Sequence, residues 1–104
     1  MNDKFLALIG FASKSGNLSF GADSVKESLK RNKAKLVIIA NDISDKSRKE
    51  MKFFASRCNV PVLDTEYDIA ELSHASGKKC GIISVNETGF ANAMTIIKGG
   101  NANG

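Results

Sequence analysis

Few side chains in this sequence are placed to do covalent or metal chemistry. His74 is the only histidine, and Cys58 and Cys80 are the only cysteines, far apart and outside any CxxC pattern. A zinc centre takes about four ligands. That set is missing here, so neither a metal nor any other cofactor is expected. The two thiols read as buried or half-buried free cysteines of a cytoplasmic protein. Phosphate loops of the nucleotide-binding kind are absent too. GKKCG at 77–81 follows a short helix rather than a strand and has no hydroxyl after its lysines, and GxGxxG does not occur. Asn41 and Asp42 end a buried-looking strand, where an α/β enzyme keeps its catalytic groups. Yet Asp42 and Ser44 are ordinary turn and capping residues, and no nucleophile elbow accompanies the lone histidine. The chain is read as a non-enzyme.

What the sequence does offer is a grouping suited to anions. Residues 21–35 read GADSVKESLKRNKAK. Asp23 and Ser24 follow the glycine, then Lys26, Lys30, Arg31, Lys33 and Lys35 stand against Glu27 alone. A helix N-terminus has free backbone N–H groups and is a ready anion site. Gly21 lets the backbone of another molecule approach closely. Lysines behind it attract phosphate whatever the sequence. A second grouping, SGKK at 76–79, puts Gly77, Lys78 and Lys79 just ahead of a strand. Residues 46–57 carry Lys46, Arg48, Lys49, Lys52 and Arg57 against Glu50, whereas 64–71 hold Asp64, Glu66, Asp68 and Glu71 and no base. Taken singly, each cluster is a solvated helix face. Together, with a net charge of +4 and a pI near 9.2, they suit a protein with one anionic partner and one free face.

The elements that must hold these groups follow from spacing. Phe5, Ile9 and Ala12, with Leu6 and Leu8 beside them, make a helical stripe over 3–13. This N-terminal run is too short to span a membrane and lacks the pattern of a secretion signal. Gly16 stops the helix, and LSF at 18–20 is a short strand. Gly21 opens the next helix, capped by Asp23 or Ser24, with Val25 and Leu29 as its apolar seam. LVIIA at 36–40 does not alternate and is expected to be buried on both faces. Ser44 or Asp45 caps a helix whose inner face is Met51, Phe54, Ala55 and Cys58. VPVL at 60–63 is a strand that Pro61 places at an edge or a strand start. Thr65 is expected to cap a helix through Ile69 and Leu72, GIISV at 81–85 to form a strand, and Asn86 to cap a last helix with Phe90, Ala93, Met94 and Ile97 inward. Helix and strand alternate, which argues for a three-layer α/β/α sandwich on a small mixed sheet of about four strands. One domain is expected over 1–98, with a frayed tail at 99–104.

In their order and spacing, GADSVKESLKRNKAKLVIIANDIS, the NVPVL strand and ELSHASGKKCGIISV resemble the kink-turn-binding ribosomal protein family of the L7Ae type, which includes small bacterial YlxQ-type members. The match runs from about residue 5 to residue 97, and its most specific pieces are KLVIIANDIS, NVPV and Leu72-x-x-Ala75-x-Gly77. The resemblance implies an RNA-binding, ribosome-associated protein whose partners are structured RNA and ribosomal or translation-associated proteins. Family members read a kinked RNA helix with tandem G·A pairs. The loop entering the second helix contacts guanine edges, which maps to Gly21 through Glu27. The loop before the last strand covers a flipped-out base, which maps to Ser76 through Cys80. Lys14, Lys26, Lys30, Arg31, Lys78 and Lys79 would position phosphates, and Asp23 and Ser24 would contact bases.

The family's Gly-x-Asn-Glu-x-x-Lys entry is altered here. The glycine is kept as Gly21 and a basic position is kept as Arg31, but Asp23, Ser24 and Glu27 replace the asparagine, glutamate and lysine. Phe20 stands where a basic residue is common, and Lys78 and Lys79 stand where an apolar pair is usual. Two readings follow: RNA binding with an altered specificity loop, or a protein-interaction module that kept the fold and lost kink-turn recognition.

Overall fold

LVII and IISV form the centre of the molecule. Neither run alternates, and every residue of both is buried, as strands between two helix layers must be. The computed structural model describes residues 3–98, so the tail expected at 99–104 lies outside the described residues. In chain order the elements are α1 (Lys4–Lys14), β1 (Leu18–Phe20), α2 (Ala22–Lys30), β2 (Leu36–Ile39), α3 (Asp45–Arg57), β3 (Val62–Asp64), α4 (Ile69–Ser76), β4 (Ile82–Val85) and α5 (Thr88–Ile97). The sheet order is β1-β4-β2-β3. β4 is antiparallel to both β1 and β2, and β3 is parallel to β2.

The two-residue period of a strand sends alternate side chains to opposite faces. Leu36, Ile38, Ile83 and Val85 meet Phe5, Ile9 and Ala12 of α1, Leu72 of α4, and Ala91 and Met94 of α5. Val37, Ile39 and Ile82 meet Val25 and Leu29 of α2 and Met51 and Ala55 of α3. The result is the expected three-layer sandwich on a four-stranded mixed sheet. Phe5, Ile9 and Ile38 have no exposed surface, and each such burial is worth about 1.5–3 kcal/mol of transfer free energy. Both cysteines are free, Cys80 buried and Cys58 half-buried.

Local expectations hold less evenly. Ser44 caps α3, its Oγ accepting from the Ser47 N–H, and Pro61 directly precedes the edge strand β3. That strand begins at Val62 rather than at residue 60, because Val60 N–H still donates to Ala55 O and finishes the turn out of α3. Three caps differ. Gly21 itself is the N-cap of α2, and no side chain caps that helix. Asp68, not Thr65, caps α4 through a reciprocal capping box with Glu71. Thr65 is buried, with Oγ1 donating to Ile39 O and accepting from Tyr67 N–H. Glu87, not Asn86, caps α5, since the Asn86 amide is engaged with Ser84 and Ser19. Ile97 is 39% exposed at the last turn of α5, whereas Cys58 packs against the core beside Met51 and Ala55 as expected and is also the C-cap of α3.

Candidate functional site

The end of the sheet where β1 finishes and β4 begins carries both loops singled out in the sequence. Phe20 pairs with Ile83 across the antiparallel ladder. One residue on, Gly21 N–H donates to Ile82 O at 2.9 Å. Gly21 has φ 88° and ψ 159°, a region essentially closed to other residues. A Cβ built there meets nothing within 4 Å, so the backbone angle, not crowding, demands the glycine. The helix it starts has an open first turn, with Asp23 and Ser24 exposed on it.

The second loop is moulded by short polar side chains. Gly77 ends α4 at φ 83° in the left-handed conformation, its N–H on Ser73 O. Ser73 Oγ accepts from Cys80 N–H at 2.9 Å, and Ser76 Oγ donates to Lys78 O at 3.1 Å. Burial pushes the Cys80 thiol up, which keeps it protonated and unreactive. With the loop pinned from below, Lys78 and Lys79 are left exposed. Lys78 Nζ lies 5.5 Å from the centroid of the Phe20 ring, a cation–π contact that links the second loop to the residue before Gly21. Ser13 Oγ donates to Ser76 O at 2.6 Å, which brings the last turn of α1, with exposed Lys14, beside the same loop.

The structure therefore gathers Gly21, Lys78 and Phe20 directly, with Lys14, Gly77 and Lys79 adjoining through the loop. Asp23 and Ser24 follow Gly21, and Lys30 is exposed in the last turn of α2. Two other cations are engaged elsewhere. Lys26 points toward α3, 3.3 Å from Glu50 and 4.9 Å above the Phe54 ring, with 23% of its side chain exposed. Arg31 Nε is held by Glu27 Oε2 at 2.6 Å. Much of the α3 charge is likewise paired, with Arg48 and Lys52 both on Asp64.

A groove of about 370 Å³ runs between β1 and α2, lined by Ser24, Glu27, Arg31 and Lys33 with Ser19, Ser28 and Asn86. Its floor is a polar chain. Ser84 donates to Asn86 Oδ1, Asn86 Nδ2 donates to Ser19 Oγ, and Ser19 and Ser28 hydroxyls lie 2.6 Å apart. Sequence reasoning did not assign Ser19, Ser28 or Asn86 to the site. Their signal was polar residues recurring at inward positions of otherwise apolar elements.

One further cluster of titratable groups lies away from this end. Tyr67 Oη donates to Asp3 Oδ2, and Lys98 Nζ lies 2.8 Å from both Tyr67 Oη and Glu66. Burial and the Asp3 partner push the Tyr67 phenol up. A general acid–base tyrosine needs the opposite shift, so the cluster fastens the ends of α1 and α5 to the segment before α4. Among the described residues, no group of three or more His, Cys, Asp and Glu is arranged to hold a metal ion. Among those residues, too, no helix is long and apolar enough to cross a membrane.

Comparison with known proteins places these features in a wider group. The profile of the ribosomal protein L7Ae/L30e/S12e/Gadd45 family matches residues 3–95. The RNA-binding protein YlxQ of Enterococcus faecium is 32% identical over 88 residues, covering 85% of this chain and 84% of that protein. Large ribosomal subunit protein eL30 of Euphorbia esula is 32% identical over 88 residues, covering 83% and 79%. Among solved structures, a protein of unknown function from Bacillus halodurans C superposes with a TM-score of 0.88 at 24% identity, covering 92% of this chain and 97% of that one. The Giardia lamblia 15.5kD RNA binding protein superposes with a TM-score of 0.75 at 21% identity, covering 96% and 89%.

Proposed function

The chain belongs to the ribosomal protein L7Ae/L30e/S12e/Gadd45 family, and from that premise we propose that it is a cytoplasmic, ribosome-associated protein that binds structured RNA. The observation that carries the reading is the meeting of its two loops. Lys78 reaches over Phe20 while Gly21 closes onto Ile82. One end of the sheet thus offers a glycine turn for close approach and exposed cations for phosphate. So small a surface suits an RNA whose backbone bends and whose bases are unstacked, because a regular A-form helix keeps its information-rich base edges in a deep, narrow major groove that side chains cannot read.

In this reading Lys14, Lys30, Lys78 and Lys79 position the phosphates. Asp23 and Ser24, exposed on the first turn of α2, contact bases. An ionised carboxylate only accepts hydrogen bonds, whereas a hydroxyl does both. Asp23 therefore selects base amino and imino donors. The set differs from the family's asparagine and glutamate, so the preferred RNA is a kinked or otherwise irregular one with altered base requirements. Lys26 supports this site at second hand, by holding α2 against α3 through Glu50 and Phe54.

The test is the double substitution Lys78→Glu with Lys79→Glu. Both side chains are exposed, so circular dichroism and the melting temperature should stay as in the wild type. RNA affinity should be lost at moderate salt, since two phosphate contacts become repulsions. Unchanged affinity in the folded double variant would overturn the placement of the site.

A further inference from the structure

The groove between β1 and α2 contains a carboxylate where a phosphate-binding surface would be expected to have none. Ser24, Glu27 and Arg31 all line that groove, spaced three and four residues apart so that they stack along one side of the helix. Glu27 Oε2 lies 2.6 Å from Arg31 Nε, and Lys33 also lines the groove. The Arg31 partner holds the Glu27 carboxyl below its ordinary value, so it is charged at neutral pH. Arg31 is the C-cap residue of α2, where the helix dipole also favours a cation.

Resting on the reading that RNA is the ligand, we propose that Glu27 is a specificity-determining residue. It occupies the Arg31 guanidinium and so withholds it from RNA backbone that offers phosphate alone. A plain duplex stem laid along the groove presents chiefly phosphates and ribose hydroxyls. Glu27 repels the phosphates, and its pair with Arg31 contributes no net charge. An irregular RNA that presents base amino groups beside a phosphate does better. The amino groups satisfy Glu27, and Arg31 is released to the phosphate. Both side chains are more than half exposed, and exposed pairs of this kind are weak. The pair can therefore be exchanged by a ligand of the right chemistry without disturbing the helix. Discrimination of this sort comes from penalising the wrong partner as much as from attracting the right one.

The experiment measures binding of a fully paired RNA hairpin and of a kinked RNA to the wild type, Glu27→Gln, Arg31→Gln and the double variant, across a salt series. Glutamine keeps the helix propensity of glutamate, and melting curves check the fold. Glu27→Gln is expected to bind the paired hairpin roughly three- to tenfold tighter, with a salt slope steeper by about 0.9, the value of one added phosphate contact. In the Arg31→Gln background most of that gain should vanish. The proposal is overturned if Glu27→Gln leaves hairpin binding unchanged. It is equally overturned if the gain is the same with Arg31 removed, since that would be a general charge effect. If none of the four proteins binds either RNA at low salt, both this proposal and the RNA reading fail. A wild type that binds both RNAs alike overturns the proposal too, because Glu27 would then discriminate nothing, while RNA binding itself would still stand.

Discussion

Gly21 is the residue at which backbone geometry and the proposed function meet. Its φ of 88° with ψ of 159° costs a residue with a side chain about 1–3 kcal/mol. Gly21→Ala is therefore expected to lower stability by about that amount in urea unfolding, although a Cβ there meets no neighbour. Ser24→Ala, three residues on and exposed, should change stability by less than about 0.5 kcal/mol. Equal stabilities for the two variants would show that the turn tolerates a side chain. The sequence marked Gly21 as the residue that opens α2 and admits close approach, but neither its positive φ nor its place as the cap was legible. Asp23 and Ser24 lie inside the helix, and the glycine occupies the cap position. Thr65 and Asn86 read as caps in sequence and are claimed instead by Ile39 O and by the Ser84–Ser19 pair. Partners from distant segments outbid local preference in both cases. Lys26 and Lys30 look alike in sequence, and only packing against Phe54 separates them.

At the scale of elements, α1 and α4 lie side by side and position the second loop. Their C-terminal ends are joined by Ser13 and Ser76. Near the other end, Asp3 caps α1 through Leu6 N–H and also accepts from Tyr67 Oη. Chiefly because of the Tyr67 hydrogen bond, the Asp3 carboxyl titrates below its ordinary value of 3.8. A carboxyl depressed in the folded state contributes stability that is present above its unfolded value and is lost as pH falls through the folded one. The melting temperature of the wild type should therefore be flat through neutral pH and fall as the solution is acidified below about pH 4. Asp3→Asn should lower the neutral plateau and shallow that acid limb. An acid limb of unchanged steepness would show that Asp3 contributes nothing to it. Asp64, Glu66 and Glu87 are depressed in the same direction, so part of the limb persists in the variant. The helices themselves were legible, because Phe5, Ile9 and Ala12 or Met51 and Ala55 recur at helical spacing. The start of α4 was not, since the bend from Thr65 to Asp68 is held by the sheet end and by Asn41 contacts with Tyr67 and Glu66.

For the whole molecule, the alternation of helices with unalternating apolar runs was enough to give the three layers. Strand order was a different matter. β4 inserts between β1 and β2, and only that insertion brings Gly21 beside Ile82 and Lys78 over Phe20. Spacing along the chain carries no trace of it. The resemblance in KLVIIANDIS and the glycine positions supplied the pairing of loops that periodicity lacked. Charge is the other whole-molecule property, and here the count of lysines misleads. Asp64 draws in Arg48 and Lys52, and Glu50 draws in Lys26. The cations left at the two-loop end are few, so binding should rest on shape as well as on charge.

The decisive measurement is a titration of the wild-type protein against a kinked RNA with tandem G·A pairs and against the same RNA re-paired into a continuous helix, each at low and at moderate salt. Tighter binding of the kinked RNA is expected, weakening with salt by a slope that reflects a handful of phosphates. Equal, salt-sensitive binding of both would reduce the site to lysines that hold backbone without reading shape. No binding of either at low salt would contradict an RNA interface at this end of the sheet and leave a protein-interaction module on the same fold.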